Sequence, residues 1–343
     1  MAAKLRMGVI GCGFYAQNHL NAWRDLGAEV ELAAVCDVDP AKTTAAAAKF
    51  AVAKTYSDAR QMLEAEKLDF VDIVTTMPTH HRLVLLAASL KTAAIVQKPF
   101  APTWSECVEM VEACETAGVP LMVHENFRWQ APMIEAKRLL SEGAIGEVTW
   151  ARVNWRTAYD IYAGQPYLAK ETRFILLDIG VHCLDLARLL MGEAKRVYCE
   201  TQILKPGIAG EDAATVTMRH RSGAVSVVDF SYAARRDPDP FPESLLEIEG
   251  RRGSLIVSPG LELTLHADGK TSKRSVRTPL RPWTSEPWHV SQESVLNIQR
   301  HWVECFKAGR EPDTSGRDNL KTYALVEAAY ESAASHQAVR PKM

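Results

Sequence analysis

The chain has 343 residues, of which 47% are hydrophobic and 24% are charged, and its formal net charge is −2. These values are typical of a globular protein that is long enough for two domains. The sequence has no long basic run and no apolar stretch of the ~20 residues that cross a membrane, which argues against nucleic acid or a membrane as partner. Its seven cysteines are scattered without zinc-site spacing, and the first strand starts too early for a signal peptide, so we expect a cytoplasmic protein.

The first part of the chain, residues 1–124, predicts strands that alternate with helices. The predicted strands are 5–10, 30–36, 69–74, 93–97 and 120–124. The predicted helices between them are 14–26, 40–50, 57–66, 79–90 and 103–117. This alternation, with strands that are continuous apolar runs, indicates a parallel, doubly wound sheet of the α/β class.

The remainder, residues 125–343, predicts a second domain of the α+β class with a large, mainly antiparallel open sheet. Its predicted strands are 147–157, 195–203, 213–220, 224–233, 244–250 and 253–257. Its predicted helices are 131–141, 181–190, 292–308 and 318–335. The segment 267–290 is rich in Pro, Ser, Thr and charge, and we predict a long loop there.

A glycine turn follows the first strand and reads Gly-x-Gly-x-x-Ala from Gly11 to Ala16. Gly11 permits a tight turn, Gly13 permits close approach of a diphosphate, and Ala16 lets the helix pack near the strand. The diphosphate would bind the free N–H groups of the helix that begins near Phe14. Asp37 ends the second strand, where an acid accepts hydrogen bonds from the adenosine ribose. A turn without a ligand would leave Asp37 unexplained, so we predict a dinucleotide site.

The choice of cofactor follows from the charge at the end of the second strand. The Asp37 carboxylate would repel the 2′-phosphate of NADP, and Val38 supplies no compensating cation. We therefore expect NAD rather than NADP.

A lysine lies at the carboxyl end of the fifth predicted strand, in Gln97-Lys98-Pro99. Ligands of open parallel sheets bind at this edge, which would bring Lys98 close to a nicotinamide. Pro99 allows a cis peptide bond that would aim Lys98. The alternative is a solvated lysine at a strand end.

Asp178 and His182 are four residues apart at the start of a predicted helix, so they share one face. A carboxylate that orients an imidazole favours proton abstraction from an alcohol whose carbon loses hydride. Two alternatives remain: Asp178 caps the helix while His182 lies in the core, or the pair binds a metal, for which no third ligand is evident. We expect Asp185 to take part in a structural hydrogen bond.

Several motifs follow one another at distinctive spacing. They are Gly11-Cys12-Gly13-Phe14-Tyr15-Ala16, Asp37, Thr76-Met77-Pro78 with His81, Gln97-Lys98-Pro99, Asn126-Phe127-Arg128, Asp178-x-Gly180-x-His182-x-x-Asp185 and the segment 309–332. In these motifs the chain resembles, along nearly its whole length, the glucose–fructose oxidoreductase, inositol dehydrogenase and rhizopine-catabolism (GFO/IDH/MocA) oxidoreductases. The resemblance implies an N-terminal Rossmann domain and NAD(P)-dependent oxidation or reduction of a sugar, cyclitol or related polyol.

The resemblance also implies roles for particular residues. Lys98, Asp178 and His182 match the family's catalytic lysine, aspartate and histidine. The residues expected to bind the cofactor are Gly11, Gly13, Phe14, Tyr15, Ala16, Asp37, Thr76, Pro78, His81, Gln97, Lys98 and Asn126.

The chain departs from the family pattern at two places. Most members read Glu-Lys-Pro where this chain has Gln97, and a glutamine supports a lysine ammonium less than a glutamate does. A Gln-Lys-Pro subgroup is the closer match. Before Asp178, residues 173–177 are bulky where many members have small, glycine-rich residues, which would reshape the substrate pocket.

Substrate contacts are predicted from strand alternation. Arg152, Asn154 and Arg156 share one face of the strand 147–157, and that face would line either the site, solvent or a subunit interface. The predicted substrate-binding residues are Arg128, Asn154, Arg156, Asp178 and His182, with Tyr159, Tyr162 and Tyr167 as further pocket lining.

The sequence thus predicts an NAD-dependent dehydrogenase of a secondary alcohol in a sugar, cyclitol or polyol. Two other hypotheses stay open: a non-catalytic regulatory protein that binds dinucleotide or sugar, and a redox-neutral lyase or glycosidase-like enzyme with bound NAD. Because strands 195–203 and 224–233 are apolar on both faces, we expect a homodimer or homotetramer through the second sheet.

Overall fold

The structure is a computed structural model that describes residues 3–342. The chain forms two compact units. The first comprises the described residues up to Asn126 together with Gln292–Leu320, and the second comprises Phe127–Ser291 with the residues from Lys321 onward. The sequence-based division has one boundary, between residues 124 and 125. The later segment returns to the first unit because its aromatic side chains pack there: Trp302 is buried against Phe70, with ring centroids 5.6 Å apart.

A six-stranded parallel sheet forms the centre of the first unit. Its strands are β1 (Leu5–Ile10), β2 (Val30–Cys36), β3 (Lys54–Tyr56), β4 (Phe70–Ile73), β5 (Ala93–Gln97) and β6 (Leu121–His124). The helices between them are α1 (Ala16–Asp25), α2 (Pro40–Phe50), α3 (Ala59–Glu66), α4 (His80–Ser89) and α5 (Trp104–Ala117). The strand order, β3-β2-β1-β4-β5-β6, is that of a doubly wound nucleotide-binding domain and confirms the predicted fold class.

Local sequence signals explain where these helices begin and end. Asp39 caps α2 by accepting a hydrogen bond from the Ala41 amide, and Pro40 occupies the first helical position. Thr103 and Glu106 form a reciprocal capping box at the start of α5. Gly118 ends α5 in the left-handed conformation, with φ of 70°, which glycine adopts at little cost.

An eight-stranded sheet forms the centre of the second unit. Its strands are β7 (Val148–Arg156), β8 (Ala194–Gln202), β9 (Ala213–His220), β10 (Val225–Ser231), β11 (Leu245–Gly250), β12 (Gly253–Ser258), β13 (Glu262–Ala267) and β14 (Lys270–Ser275). The further helices of the chain are α6 (Ala131–Ser141), α7 (Ile161–Gly164), α8 (Val181–Met191), α9 (His289–Ala308) and α10 (Gly316–Ser335). The strand order is β14-β13-β12-β11-β7-β10-β9-β8, and only β7 and β10 pair in parallel. The predicted, mainly antiparallel sheet is therefore confirmed.

The prediction of a long loop over residues 267–290 is wrong for the first part of that segment. Strands β13 and β14 form a hairpin through Asp268 and Gly269, which have φ of 50° and 73°. Positive φ at both central residues is the geometry that favours Asp-Gly in two-residue hairpins. The strand escapes sequence detection because β14 is an edge strand whose six residues are all exposed and polar. The short strand β3 escapes it as well.

Candidate active site

The glycine turn lies at the carboxyl edge of the first unit's sheet, where the strand order reverses between β1 and β4. Gly11 has φ of 100°, and a Cβ there would lie 2.3 Å from the carbonyl oxygen of Val74. A Cβ at Gly13, in contrast, would meet no described atom within 4 Å apart from those of its own residue and its chain neighbours. The side chain of Tyr15, the N-cap residue of α1, makes no capping hydrogen bond. The tight turn, the open space and the uncapped helix fit a dinucleotide diphosphate.

Asp37 lies beside this turn and is held by backbone groups. Its Oδ2 accepts a hydrogen bond from the Cys12 N–H at 2.8 Å, and its Oδ1 accepts one from the Asp39 N–H at 2.9 Å. Each carboxylate oxygen keeps a second lone pair. The fixed carboxylate therefore fits the role of accepting hydrogen bonds from ribose hydroxyls.

The other predicted cofactor residues of the first unit have varied surroundings. Thr76 and Pro78 belong to the turn that follows β4, whose 3-10 helix spans Met77–Thr79. Phe14 is 88% exposed, and Asn126 is buried with its Nδ2 donating to Ser294 Oγ at 2.6 Å. His81 lies near the surface, 2.9 Å from Glu109 Oε2.

A histidine that the sequence analysis missed is buried beside this turn. The Nε2 atom of His80 lies 3.1 Å from the Thr75 carbonyl oxygen, and its Nδ1 lies 3.0 Å from that of Pro99. His80 thereby joins the segment after β4 to the segment after β5. Burial lowers the pKa of this imidazole. His80 and His81 are neighbours in the sequence, and only packing decides which one faces inward.

Lys98 follows directly after β5, and its peptide bond to Pro99 is cis. The preceding Gln97 is buried, and its Oε1 accepts a hydrogen bond from the Lys98 N–H at 2.7 Å. The Nε2 atom of Gln97 lies 3.0 Å from His19 Nε2. Lys98 therefore lies at the carboxyl end of β5, as the sequence predicts. The side chain of the neighbouring Gln97 is held through both its amide nitrogen and its amide oxygen.

In the second unit, Asp178 lies in a one-turn π-helix, Leu176–Gly180, and His182 is the second residue of α8. Wide turns of this kind occur often at functional sites. Gly180 allows the turn to approach β10, because a Cβ there would lie 2.9 Å from Phe230 Cζ.

Two aromatic residues that the sequence analysis did not assign hold this pair. The Tyr232 hydroxyl donates to Asp178 Oδ2 at 2.8 Å. Burial and the neighbouring Asp178 raise the pKa of Tyr232 well above its ordinary value, so it remains a donor. Phe127 stacks on the His182 ring with centroids 3.8 Å apart and an interplanar angle of 2°.

Arg128 and Asp185 form a buried ion pair. The Nε and Nη2 atoms of Arg128 lie 2.5 and 2.6 Å from the two oxygens of Asp185, and Thr322 Oγ1 donates to the same carboxylate at 2.6 Å. The structural hydrogen bond expected for Asp185 is present. Arg128 is predicted to contact substrate, and in the structure its Nε and Nη2 atoms contact Asp185.

The polar side chains on one face of β7 all contact Asp229 of β10. Asp229 Oδ1 accepts from Asn154 Nδ2 at 2.6 Å, Asp229 Oδ2 accepts from Arg152 Nε at 2.7 Å, and Arg156 Nη1 lies 3.6 Å from Asp229 Oδ1. By strand alternation this face is opposite the one that carries Trp155, and the Trp155 ring contacts Tyr232 at 5.1 Å. The predicted substrate residues Asn154 and Arg156 thus lie on the other face from Asp178.

The three tyrosines that are predicted to line the substrate pocket have different surroundings. Tyr159 stacks on Phe241 with centroids 3.9 Å apart, and its ring is 5.7 Å from that of Trp288. Burial raises the pKa of Tyr162 to about 12. Tyr167 is 53% exposed.

Two kinds of feature are absent from the part of the chain that the structure describes. It contains no group of three or more His, Cys, Asp or Glu side chains that could hold a metal ion. None of its helices is both long and apolar enough to cross a membrane.

The strand order, the glycine turn and the acid beside it define a dinucleotide-binding domain of the Rossmann type. Residues 5–125 match the oxidoreductase family with an NAD-binding Rossmann fold called GFO/IDH/MocA, and residues 133–256 match the GFO/IDH/MocA C-terminal domain. The chain belongs to this family. The predicted class is thereby confirmed, and the chain is an NAD-dependent dehydrogenase of the sugar and polyol group.

Three similar proteins illustrate the relationship. A D-apiose dehydrogenase from Paraburkholderia graminis is 50% identical over 339 residues, which are 99% of this chain and 90% of that protein. A D-apiose dehydrogenase from Rhizobium rhizogenes is 46% identical over 98% of this chain and 97% of its own. The crystal structure of an oxidoreductase from Agrobacterium radiobacter, in complex with NAD+, L-tartaric acid and magnesium, matches with a TM-score of 0.96 and 45% identity, covering 98% of each chain.

Proposed function

We propose that this chain oxidises D-apiose, or a sugar of closely similar shape, with NAD+ as hydride acceptor. The observation that carries the proposal is the identity of 50% and 46% to two D-apiose dehydrogenases over nearly the whole chain. The fit of Gly11, Gly13 and Asp37 to a dinucleotide supports the cofactor. When bound, NAD+ supplies the atom that takes the hydride.

We propose that His182 accepts the proton of the reacting hydroxyl and that Asp178 orients His182. The ring of His182 is held by Phe127, and the carboxylate of Asp178 is held by Tyr232, so neither group is free to turn. Lys98 donates a hydrogen bond to the reacting oxygen as the carbonyl forms. Fixed donors and acceptors of this kind contribute to catalysis because they need no reorganisation during the reaction.

The substrate is tested by NADH formation, followed by absorbance, with D-apiose, myo-inositol, common aldoses and uronates. We expect the highest kcat/KM with D-apiose. A higher kcat/KM with a cyclitol or an uronate would contradict the substrate. Sugar conversion without net NADH would favour the redox-neutral hypothesis, and binding without turnover would favour the regulatory one.

The roles of the residues are tested by Lys98→Ala and His182→Ala. Each variant should lose turnover by about 10²-fold or more, and in His182→Ala the NAD+ affinity measured by calorimetry should stay close to that of the parent protein. Unchanged turnover in both variants would contradict the assignment.

We also propose a cytoplasmic homodimer or homotetramer that assembles through the eight-stranded sheet. The face opposite α8 carries Tyr198, which is 38% exposed, and the partly exposed Val225 and Val227. A partner would cover these side chains. All seven cysteines are free thiols, as expected in a reducing compartment. Light scattering that gives the mass of a monomer would contradict the assembly.

A further inference from the structure

A chain of buried polar groups lies behind Lys98 in the first unit. Asp72 on β4 has its Oδ2 2.8 Å from Nδ1 of His19 on α1, and Nε2 of the same imidazole lies 3.0 Å from Nε2 of Gln97 on β5. Gln97 Oε1 then accepts the Lys98 N–H at 2.7 Å. Asp72 and His19 have no exposed surface, and Gln97 is 7% exposed.

The direction of each hydrogen bond in this series of buried groups follows from the Lys98 end. The Lys98 N–H is a donor, so the Gln97 atom that faces it is the oxygen. The Gln97 amide nitrogen therefore faces His19, which requires a lone pair on His19 Nε2. His19 is then a neutral imidazole with its hydrogen on Nδ1, and this hydrogen is donated to the Asp72 carboxylate.

Neighbouring aromatic groups hold the imidazole in this arrangement. Trp23 Nε1 donates to the same Asp72 oxygen at 2.7 Å. The His124 ring packs against that of His19 with centroids 4.1 Å apart. The other Asp72 oxygen, Oδ1, has no hydrogen-bond partner among residues 3–342, so the carboxylate depends on His19 and Trp23.

We propose that Asp72 and His19 are positioning residues for Lys98: by selecting one orientation of the Gln97 amide, they fix the backbone from which the lysine extends. This inference rests on the proposed function of Lys98. It also accounts for Gln97. A glutamate could be paired there only if His19 Nε2 carried a hydrogen, whereas a glutamine offers a hydrogen to the His19 lone pair and an oxygen to Lys98.

Two substitutions of His19 distinguish an effect on the position of Lys98 from an effect on the stability of the fold. The Oε1 atom of a glutamine can replace His19 Nε2 as acceptor, so His19→Gln keeps the partner of Gln97 but withdraws the donor from Asp72. The Nδ2 atom of an asparagine can replace His19 Nδ1 as donor, so His19→Asn keeps the partner of Asp72 but withdraws the acceptor from Gln97. Each variant therefore removes one of the two hydrogen bonds.

We expect the two variants to rank in opposite orders in two measurements. His19→Asn should be the more stable protein in thermal unfolding, because a buried carboxylate that loses a donor is costly. His19→Gln should nevertheless have the higher kcat, and His19→Asn should lose kcat by about 10- to 100-fold, the cost of a misplaced catalytic group. Gln97→Met, which removes both amide contacts, should lose kcat to a similar extent. The Kd of NAD+, measured by calorimetry, should change little in the two His19 variants.

The outcomes that overturn the inference differ from those that overturn the proposed function. If kcat follows thermal stability, with His19→Asn the more active variant, His19 has only a structural role. If Gln97→Met keeps the parent kcat, the amide does not position Lys98. If Lys98→Ala itself keeps the parent kcat, the proposed function of Lys98 fails, whatever the result at His19.

Discussion

The hydroxyl of Tyr232 donates a hydrogen bond of 2.8 Å to Oδ2 of Asp178, across 54 residues of sequence. It joins the residue that follows strand β10 to the π-turn that leads into α8. Because Tyr232 is buried and its pKa is raised, the hydroxyl keeps its hydrogen over the working range of an enzyme. One lone pair of Asp178 is thus committed before any substrate binds.

Removal of this hydroxyl should reduce turnover. In Tyr232→Phe we expect kcat to fall about tenfold or more, since a hydrogen bond to a charged group contributes about 1.5–3 kcal/mol. Steady-state kinetics with D-apiose checks this. Tyr56→Phe is the matched control, because it removes a tyrosine donor from Glu66 in the first unit. Equal kcat in Tyr232→Phe and the control would show that the Asp178 contact is dispensable.

The stacked ring of Phe127 should matter for the histidine. Phe127→Leu keeps an apolar side chain but loses the parallel stack on His182. Aromatic pairs contribute about 0.5–1.5 kcal/mol beyond burial, so we expect a three- to tenfold loss of kcat, roughly, with NAD+ affinity unchanged. Kinetics and calorimetry on the same preparation test both statements. A loss confined to NAD+ affinity would contradict this role.

The two glycines of the turn should respond differently to alanine. Gly11→Ala places a Cβ 2.3 Å from the Val74 carbonyl oxygen at a φ of 100°, so both thermal stability and NAD+ binding should fall. Beyond its chain neighbours, the new methyl of Gly13→Ala meets no described atom within 4 Å, so the protein without NAD+ should keep its melting temperature. Its NAD+ affinity should nevertheless fall by about tenfold or more, because the methyl occupies space next to the diphosphate.

Retention of full NAD+ affinity in Gly13→Ala would mean that the diphosphate does not approach this turn. The comparison with Gly11→Ala is necessary, since a drop in affinity that accompanies unfolding says nothing about the ligand.

The charge of Asp37 should select the cofactor. Val38 is 82% exposed beside it. The double variant Asp37→Ser, Val38→Arg removes the repulsion of a 2′-phosphate and adds a cation, so the ratio of kcat/KM for NAD to that for NADP should fall by about tenfold or more. Val38→Arg alone serves as the control. An unchanged ratio in the double variant would place cofactor selection elsewhere.

A buried histidine of the second sheet should make stability depend on pH. His220 Nδ1 lies 2.7 Å from the Gly192 carbonyl oxygen and its Nε2 lies 2.8 Å from Ser226 Oγ, an arrangement that suits a neutral ring. Burial lowers the pKa of His220 below 6.5. The unfolded chain therefore binds more protons as the pH falls below 6.5, and stability decreases there.

Thermal unfolding on both sides of pH 6.5 measures this effect. In His220→Gln the loss of stability on acidification should be smaller than in the parent protein. His80 contributes in the same direction, because burial lowers its pKa too. The change of stability with pH should therefore become smaller in His220→Gln without disappearing. If stability depends on pH equally in His220→Gln and in the parent protein, His220 does not contribute to that dependence.

Much of the fold could be predicted because local patterns record it. The apolar runs of β1, β2 and β5 match their predicted bounds, since strands buried on both faces have no polar alternation to blur their ends. The glycine turn, Asp37 and Lys98 were also found locally, because each follows a strand end. Strand β14 was missed because an exposed edge strand carries no hydrophobic pattern.

The partners of these residues could not be predicted in the same way. The sequence by itself determined the class of fold, the cofactor and the chemical types at positions 97, 98, 178 and 182. Only the tertiary structure decided that His19 meets Asp72 across 53 residues, that Tyr232 meets Asp178 across 54, and that His80 rather than His81 faces inward. Strand and helix periodicity reports which side of an element is buried, whereas a hydrogen bond between distant elements depends on how those elements pack, which no local pattern contains.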